Sequence, residues 1–426
     1  MQVKIKTLGC KVNQYESQAI REQFSSLGHQ ITRKKADLYI INTCTVTKTA
    51  DKKSRKNILQ AKKENPKAKI AVCGCLAELN KDYIEKIGVD YIITQKNKQN
   101  LVNIILGDKA SCPISKNPWK LKIKNYPHKR AFVKIQDGCN NFCSFCKIPY
   151  LRPKPTSRKK KEIINEIKEL SIKHYEVVLS GVNLNLYGQD LRPKNSLSNL
   201  TKDILELDCL GRLRISSLQP SLIDDKLIGL IAHPKLCPHL HLSFQYGQNS
   251  ILKAMNKKET VENYLEKVTA IKKVYPKAAV SCDIIVGFPE ETEKTFRQTV
   301  SFLEKVKPMR IHIFTFSPRE NTPLAASNLV DKSTIKKRYE ILKKLAKDFS
   351  LSYSKSFLNQ ELEMIAEEKK SGYITGYTQN YIKVNTKDKI KLGSAAKVKI
   401  KKIDKNNKVF AQLITNYKPR VQSHRS

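Results

Sequence analysis

Two periodicities of apolar residues divide the chain into regions. Over the first hundred residues, short apolar runs typical of buried strands alternate with amphipathic segments that have a helical period. Strands are predicted at residues 3–8, 37–42, 69–72 and 90–94, and helices at residues 14–27 and 50–63. Because strands that alternate with helices form parallel β-α-β units, we predict a parallel α/β domain over residues 1–107.

The alternation of strand and helix returns in the middle of the chain. Six strands are predicted at residues 131–136, 176–180, 212–217, 239–244, 280–286 and 310–316. The helices predicted among them include residues 161–173, 200–207, 261–275 and 294–306, and a long helical run follows at residues 331–357. Six such units make a partial (β/α)6 barrel over residues 125–357 rather than a full eight-stranded one. The basic stretch 107–129, with three prolines, is interpreted as a linker.

Residues 358–417 have a third pattern, in which Ile, Val, Thr and Tyr alternate with basic residues. The period of two predicts a small all-β barrel, so the whole chain is of the α/β class with a β-barrel at its end. Small barrels with basic and aromatic faces often bind RNA, although a barrel that only caps the preceding domain would have the same pattern. We expect this module to supply RNA affinity, and its removal to leave the chemistry measurable.

Three cysteines stand close together at the start of the central region. Cys139, Cys143 and Cys146 have the spacing C-x3-C-x2-C. Three thiolates on one loop can hold three corners of a [4Fe–4S] cube and leave the fourth iron open to another ligand. Structural zinc is the competing interpretation, but the outside candidates Cys112 and His128 have no standard spacing. Disulfides would need an oxidising compartment, which nothing in the sequence indicates.

Three further cysteines follow three predicted strands. Cys10, Cys44 and Cys75 each come just after an apolar run of the first domain. The carboxyl ends of parallel strands meet at one edge of a sheet, so these residues are predicted to form a second three-cysteine site. Each could instead be a small buried residue at a strand end. Cys73 lies inside its apolar run and is interpreted as a core residue.

The composition of the chain indicates which kinds of partner the protein can bind. The 426 residues include 80 basic and 39 acidic ones, for a net charge of +41, which suits a polyanion such as nucleic acid. Most of the basic residues are lysines, and a lysine excess can also reflect the base composition of a genome. No apolar run reaches the length of a membrane span, and the first residues lack a signal-peptide pattern. We therefore predict a cytoplasmic protein with no membrane partner.

The order of these features resembles the radical S-adenosylmethionine (SAM) methylthiotransferases, which carry an N-terminal three-cysteine domain, a central C-x3-C-x2-C motif and a C-terminal TRAM-like β-module. Four phrases resemble the branch that modifies N6-threonylcarbamoyladenosine in tRNA: TLGCKVNQYES, NTCTVTKTADKKSRK, FVKIQDGCNNFCSFC and GYTQNYIKV. In that branch, a methylthio group is added at C2 of the base at position 37, next to the anticodon. The product is 2-methylthio-N6-threonylcarbamoyladenosine.

The resemblance also implies cofactors and site residues. Cys139, Cys143 and Cys146 would hold the [4Fe–4S] cluster that binds SAM, and Cys10, Cys44 and Cys75 an auxiliary [4Fe–4S] cluster. Residues that would line the SAM site are Ser180, Gly181, Asn183 and Asp283. The implied partners are tRNA, an electron donor such as flavodoxin or ferredoxin, and a sulfur source.

At five positions the sequence departs from the pattern of the family: Pro153, Thr156, Gln219, Tyr246 and Glu290. The six cysteines are retained, but several departures fall near the implied SAM or substrate site. Two alternatives therefore remain open. One is a methylthiotransferase for another substrate, isopentenyladenosine in tRNA or a ribosomal protein; the other is an inactive iron–sulfur paralogue that binds tRNA.

Overall fold

The computed structural model describes residues 1–107, 114, 115, 117, 119–327 and 329–417. The chain forms two compact units. The first contains Met1–Lys124, Asp137–Arg158 and Arg319–Ala325, and the second contains Asn125–Gln136, Lys159–Pro318 and Ala326–Ser426. Part of the predicted linker, including Cys112, lies outside the described residues. The three-domain boundaries stay a prediction.

The first unit is built on a five-stranded parallel sheet with the order β2-β1-β3-β4-β5. Its strands are β1 (Gln2–Thr7), β2 (Gln30–Ile31), β3 (Leu38–Thr43), β4 (Lys69–Gly74) and β5 (Tyr91–Ile93). Its helices are α1 (Lys11–Ser26), α2 (Lys48–Glu64), α3 (Cys75–Leu79), α4 (Lys81–Ile87), α5 (Leu101–Leu106) and, in the cysteine-rich segment, α6 (Ile148–Leu151). The predicted parallel α/β region is confirmed, and the edge strand β2 is an addition to the prediction. Tyr39, Ile41, Ile58 and Val72 form part of the core on one face of this sheet.

The second unit contains the six predicted strands of the partial barrel, all parallel. Its strands are β6 (Arg130–Lys134), β9 (Glu176–Ser180), β10 (Arg212–Ile215), β11 (Ser217–Leu218), β12 (His239–Gln245), β13 (Ala279–Val286) and β14 (Arg310–Thr315). Between β6 and β9 in the chain come β7 (Gln136–Asp137) and β8 (Thr156–Ser157), a separate two-stranded pair of which all but Gln136 belongs to the first unit. The helices of the second unit are α7 (Lys160–Ser171), α8 (Leu197–Leu205), α9 (Asp225–Leu230), α10 (Asn249–Ala254), α11 (Val261–Val274), α12 (Glu293–Val306) and α13 (Lys332–Lys355). The sheet β10-β9-β6 continues into the sheet β11-β12-β13-β14 because only Ser216 separates β10 from β11.

The C-terminal segment of the second unit is a closed five-stranded barrel. Its strands are β15 (Glu361–Lys370), β16 (Tyr373–Thr378), β17 (Lys383–Thr386), β18 (Ala395–Ile403) and β19 (Val409–Asn416). Met364, Val384, Val398 and Ile400 are fully buried in its core, as the period-two pattern predicts. Among the described residues, no helix is long and apolar enough to cross a membrane.

Candidate active site

Cys10, Cys44 and Cys75 lie at the same edge of the first sheet. Cys10 comes three residues after β1 and caps α1, Cys44 directly follows β3, and Cys75 directly follows β4 as the first residue of α3. Since β1, β3 and β4 are neighbours in the sheet, their carboxyl ends bring the three side chains to one place. Cys10 is exposed, whereas Cys44 and Cys75 are buried. Cys73 lies inside β4 and is fully buried, as expected of a core residue.

Two glycines allow the strand ends to approach this closely. Gly9 has a φ of +92°, and a Cβ atom there would lie 2.8 Å from both Cβ and Sγ of Cys44. Gly74 has a φ of +93°, and a Cβ atom there would lie 2.4 Å from the carbonyl oxygen of Thr43. Both positions combine a left-handed backbone with a contact too close for any side chain. The Gly-Cys pairs of the sequence are therefore a steric requirement of the site.

Hydrogen bonds fix the turns that carry the cysteines. The Ser54 hydroxyl donates to the carbonyl of Cys44 at 2.8 Å and accepts from the Cys44 amide at 3.2 Å. The Gln95 side-chain amide donates to Sγ of Cys75 at 3.6 Å. Burial raises the pKa of the Cys44 thiol to about 11 and also raises the pKa of Cys75. Because burial favours the protonated form of these thiols, metal binding here would release protons.

The second cysteine set lies on a tight loop of the same unit. Gly138 has a φ of +77°, and a Cβ atom there would lie 2.2 Å from the carbonyl oxygen of Lys154. The Cys139 amide donates to the carbonyl of Arg152 at 3.0 Å, and the Cys146 amide donates to the carbonyl of Cys143 at 2.9 Å. Burial raises the pKa of Cys146 to about 12. These contacts close the loop so that three soft sulfur donors stand within eight residues of chain.

The side chain of Arg152 connects the two cysteine sets. It is almost fully buried, and its guanidinium donates to Asp137 at 2.6 Å and to the side-chain oxygen of Gln95 at 2.9 Å. Glu16 accepts from Arg152 at 3.4 Å and pairs with Lys98 at 2.7 Å. Since Gln95 contacts Cys75 and the Arg152 carbonyl contacts Cys139, one residue joins both loops.

None of the ten cysteines in the described part of the chain forms a disulfide. A donor set of two thiol triplets, each held by tight glycine turns, suits iron–sulfur clusters. That these six cysteines are the ligands stays a prediction.

In the second unit, the sheet of β12, β13 and β14 has one apolar and one polar face. The apolar face includes the fully buried Leu242, Cys282 and Ile284, and Phe244 of this face packs against Tyr264 of α11 and Phe302 of α12. Most side chains of the opposite parity are polar, and they include His239, His241, Ser281, Asp283, Arg310 and His312. Because helices cover the apolar face, the polar residues lie on the inner side of the partial barrel.

Two histidines share one carboxylate on this polar face. His241 Nε2 lies 3.1 Å from one oxygen of Asp283, and His312 Nδ1 lies 3.4 Å from the other. Burial alone would raise the pKa of Asp283, but the hydrogen bonds and charges of the two imidazoles hold it well below its ordinary value. One ligand atom from each of the three residues lies within 4.8 Å of the others. Sequence reasoning identified Asp283 but missed both histidines, which stand on separate strands with no local spacing signal.

The other predicted SAM-contact residues lie together after β9. Ser180 is buried and donates to the carbonyl of Val133 at 3.2 Å. The amides of Val182 and Asn183 both donate to the side-chain oxygen of Gln136, at 3.0 and 2.8 Å. A Cβ atom on Gly181 would lie 3.0 Å from Cβ of Gln136, so the loop is held tightly against this side chain. Contact of Ser180, Gly181, Asn183 and Asp283 with SAM stays a prediction, and Gln136 is a supporting residue that the sequence did not indicate.

Comparisons with known proteins match two segments of the chain to known families. Residues 2–94 match the model of an uncharacterized protein family, UPF0004, and residues 133–303 match the radical SAM superfamily. A solved radical SAM methyltransferase, TsrM from Kitasatospora setae, shares the fold, with a TM-score of 0.58 and 13% identity over 76% of this chain and 75% of that one. Residues 133–303, which include the loop of Cys139, Cys143 and Cys146, thus match the radical SAM class.

Two relatives indicate a narrower family within the radical SAM class. The chain is 37% identical to the threonylcarbamoyladenosine tRNA methylthiotransferase MtaB of Bacillus subtilis, over 94% of each chain. It is 35% identical to a tRNA-2-methylthio-N(6)-dimethylallyladenosine synthase of Thermosipho melanesiensis, over 94% of this chain and 96% of that one. The chain belongs to the radical SAM tRNA methylthiotransferases, a family that uses SAM and a [4Fe–4S] cluster.

Proposed function

We propose that this enzyme methylthiolates C2 of N6-threonylcarbamoyladenosine at position 37 of tRNA. The observation that carries the proposal is the presence of two cysteine triplets in one compact unit, joined through Arg152. One triplet accounts for a radical SAM enzyme, and a second supports transfer of sulfur. The relative from B. subtilis, named for threonylcarbamoyladenosine, supports the choice of base.

The six cysteines have the donor chemistry that the proposal needs. Cys139, Cys143 and Cys146 would hold the cluster to which SAM binds, and Cys10, Cys44 and Cys75 would hold an auxiliary [4Fe–4S] cluster. When bound, these groups supply a one-electron route for breaking the C2–H bond and the sulfur that takes its place. An electron donor such as flavodoxin or ferredoxin, a sulfur source and a cytoplasmic location complete the proposal.

The protein contributes position and electrostatics. Gly9 and Gly74 let the sulfur ligands of adjacent strand ends approach. The buried cations Arg152 and Lys98 lie near Cys75 and offset part of the increase in its pKa that burial causes. Gln136 holds the loop of Gly181 and Asn183, which we assign to SAM. The net charge of +41 favours tRNA through its phosphates, so binding should weaken steeply as salt is raised.

A second candidate is the isopentenyladenosine branch, favoured by the relative from T. melanesiensis. Nucleoside analysis separates the two. Bulk tRNA from cells with and without the gene is digested, and its modified adenosines are quantified by mass spectrometry. We expect loss of 2-methylthio-N6-threonylcarbamoyladenosine and accumulation of its precursor, with restoration by the wild-type gene.

Complementation with Cys10→Ala or Cys139→Ala should fail, whereas Cys73→Ala should restore the product, because Cys73 belongs to the core. Loss of a methylthio isopentenyl nucleoside, with the threonylcarbamoyl forms unchanged, would move the enzyme to the neighbouring branch. No change in any methylthio nucleoside would support an inactive paralogue.

A further inference from the structure

His312 is the most accessible member of the polar group on the inner side of the barrel. Its side chain is 44% exposed, compared with 20% for Asp283 and 14% for His241. One ring nitrogen, Nδ1, faces Asp283, which leaves Nε2 as the nitrogen available to a ligand. The residue therefore presents an oriented imidazole towards the inside of the barrel.

The remaining members of the group hold Asp283 in place. His241 contacts Asp283 through Nε2 and the Ser281 hydroxyl through Nδ1, at 3.1 and 2.8 Å. His239 lies 2.9 Å from the same hydroxyl. Asp283 is held from one side by His241 and faces His312 on the other, so His312 can bind an external anion with both of its ring nitrogens protonated. In that form Nδ1–H donates to Asp283 and Nε2–H can donate to an external anion.

An apolar ring stands beside this cation. Phe314 lies two residues further along β14, so its side chain is on the same face as His312. Its side chain is also 44% exposed, so its ring is accessible to a ligand. An exposed aromatic ring with a cationic donor next to it suits a nucleobase that carries an anionic substituent.

We propose that His312 recognises the carboxylate of the threonylcarbamoyl group and thereby selects this substrate over adenosines with an uncharged N6 substituent, while Phe314 stacks on the base. The inference rests on the proposed function, since it assumes that threonylcarbamoyladenosine is the substrate. It assigns specificity to a residue that contacts the substituent and takes no part in bond breaking.

The test compares two tRNAs that differ only at the carboxylate of the threonylcarbamoyl group. One carries N6-threonylcarbamoyladenosine, and in the other the same carboxylate is converted into a neutral methylamide. Rates of methylthiolation at subsaturating tRNA are measured for the reconstituted wild type and for His312→Asn, His312→Lys and Phe314→Leu. Iron content and the thermal midpoint are measured for each variant to show that it is folded.

We expect the wild type to prefer the carboxylate substrate by about 10- to 100-fold, the range of a hydrogen bond between charged partners. His312→Asn should abolish most of this preference, and His312→Lys should restore part of it, because a cation rather than a packed ring is required. Phe314→Leu should slow both substrates by the same factor and leave the preference intact.

Two results would overturn the inference while leaving the proposed function standing. One is a wild-type preference retained by His312→Asn. The other is a stoichiometric divalent metal, distinct from cluster iron, that is present in the wild type and lost in His312→Asn, because the triad would then be a metal site. A wild type that methylthiolates neither tRNA would overturn the proposed function and this inference with it.

Discussion

The carboxylate of Glu176 provides a direct test of how the second unit is stabilised. It is completely buried, with Nε of Arg212 at 2.6 Å, Nε of Arg214 at 2.8 Å and Nη1 of Arg130 at 3.7 Å. Arg212 also donates to the carbonyl of Tyr377 at 3.0 Å, and Arg214 to that of Gln379 at 3.1 Å. One buried anion therefore holds arginines that bind the C-terminal barrel to the strands of the partial barrel.

Replacing Glu176 with Gln preserves the shape of the side chain but leaves three guanidinium groups without their buried anion. Removing one partner of a buried ion pair costs about 3–5 kcal/mol. In a unit of this size, 1 kcal/mol shifts the thermal midpoint by about 2–4 °C, so the expected decrease is about 6–20 °C. That is a large fraction of the total stability of a typical domain.

The pH dependence of this effect has a defined sign. Burial alone would raise the pKa of Glu176, but the charges of Arg214, Arg212 and Arg130 together hold it well below its ordinary value of 4.5. A lowered folded-state pKa stabilises the protein above the unfolded-state pKa, and this stabilisation is lost as pH falls towards the folded-state value. The difference between wild type and Glu176→Gln should therefore be constant from pH 5 to 8 and should shrink below about pH 4.5.

The assay is thermal unfolding of the reconstituted proteins, followed by circular dichroism at several pH values. Glu361→Gln is the matched control, because Glu361 pairs with Lys397 at 2.7 Å but both side chains are more than 40% exposed. An exposed pair contributes little, so this variant should unfold with the wild type. A midpoint for Glu176→Gln within the error of the control would refute the reasoning.

Three further predictions concern other parts of the chain. Glu290→Gly should raise stability by about 0.5–1 kcal/mol in denaturant titrations, since Glu290 has a φ of +70° that suits glycine. Gly74→Ala should lower reconstituted iron from about eight to about four atoms per chain, as counted in two four-iron clusters, while Cys73→Ala should not change it. Truncation after Phe357 should yield protein that unfolds or aggregates, measured by soluble yield and light scattering, because Arg212 and Arg214 would lose buried acceptors.

The elements of the fold and the positions of the cysteines at strand ends could be predicted from the sequence, because each is marked by a short local pattern of residues. A buried parallel strand is a short apolar run, and its end is marked by Gly-Cys or Thr-Cys. Knowing that consecutive β-α units lie side by side was enough to predict that Cys10, Cys44 and Cys75 meet at one edge. The pattern could not show β2, because a two-residue edge strand has too few positions for a periodic signal.

The packing of the C-terminal barrel against the rest of the second unit could not be predicted from the sequence. Its period-two pattern predicted the barrel but indicated a detachable RNA-binding module. In the structure, the Tyr381 ring stacks on His239 with the centroids 4.4 Å apart, and the Arg214 and Arg310 guanidinium groups lie 4.7 and 5.0 Å from its centre. These contacts join residues more than 60 positions apart, and no local pattern records them. The barrel is thus part of the second unit's core as well as a candidate RNA-binding surface.

Two departures from the family pattern have physical explanations. Tyr246 is almost fully buried, and its hydroxyl lies 3.4 Å from that of Thr295, so the larger residue is accommodated within the packing of α12. Glu290 is exposed and occupies a left-handed backbone position that suits glycine. Tyr246 fills space in the core and Glu290 adds backbone strain, and neither position is one of the six cysteines.

The charged network around Arg152 explains why the first unit retains buried ions where an apolar core would be more stable. Arg152 and Lys98 are balanced by Glu16 and Asp137, and such buried pairs seldom add net stability. They do fix geometry, because each guanidinium hydrogen bond has a direction. Glu16 belongs to α1, which begins after Cys10, and Asp137 stands two residues before Cys139. The network therefore holds the segments that carry the two cysteine sets at a fixed separation, as the proposed reaction between two bound groups would require.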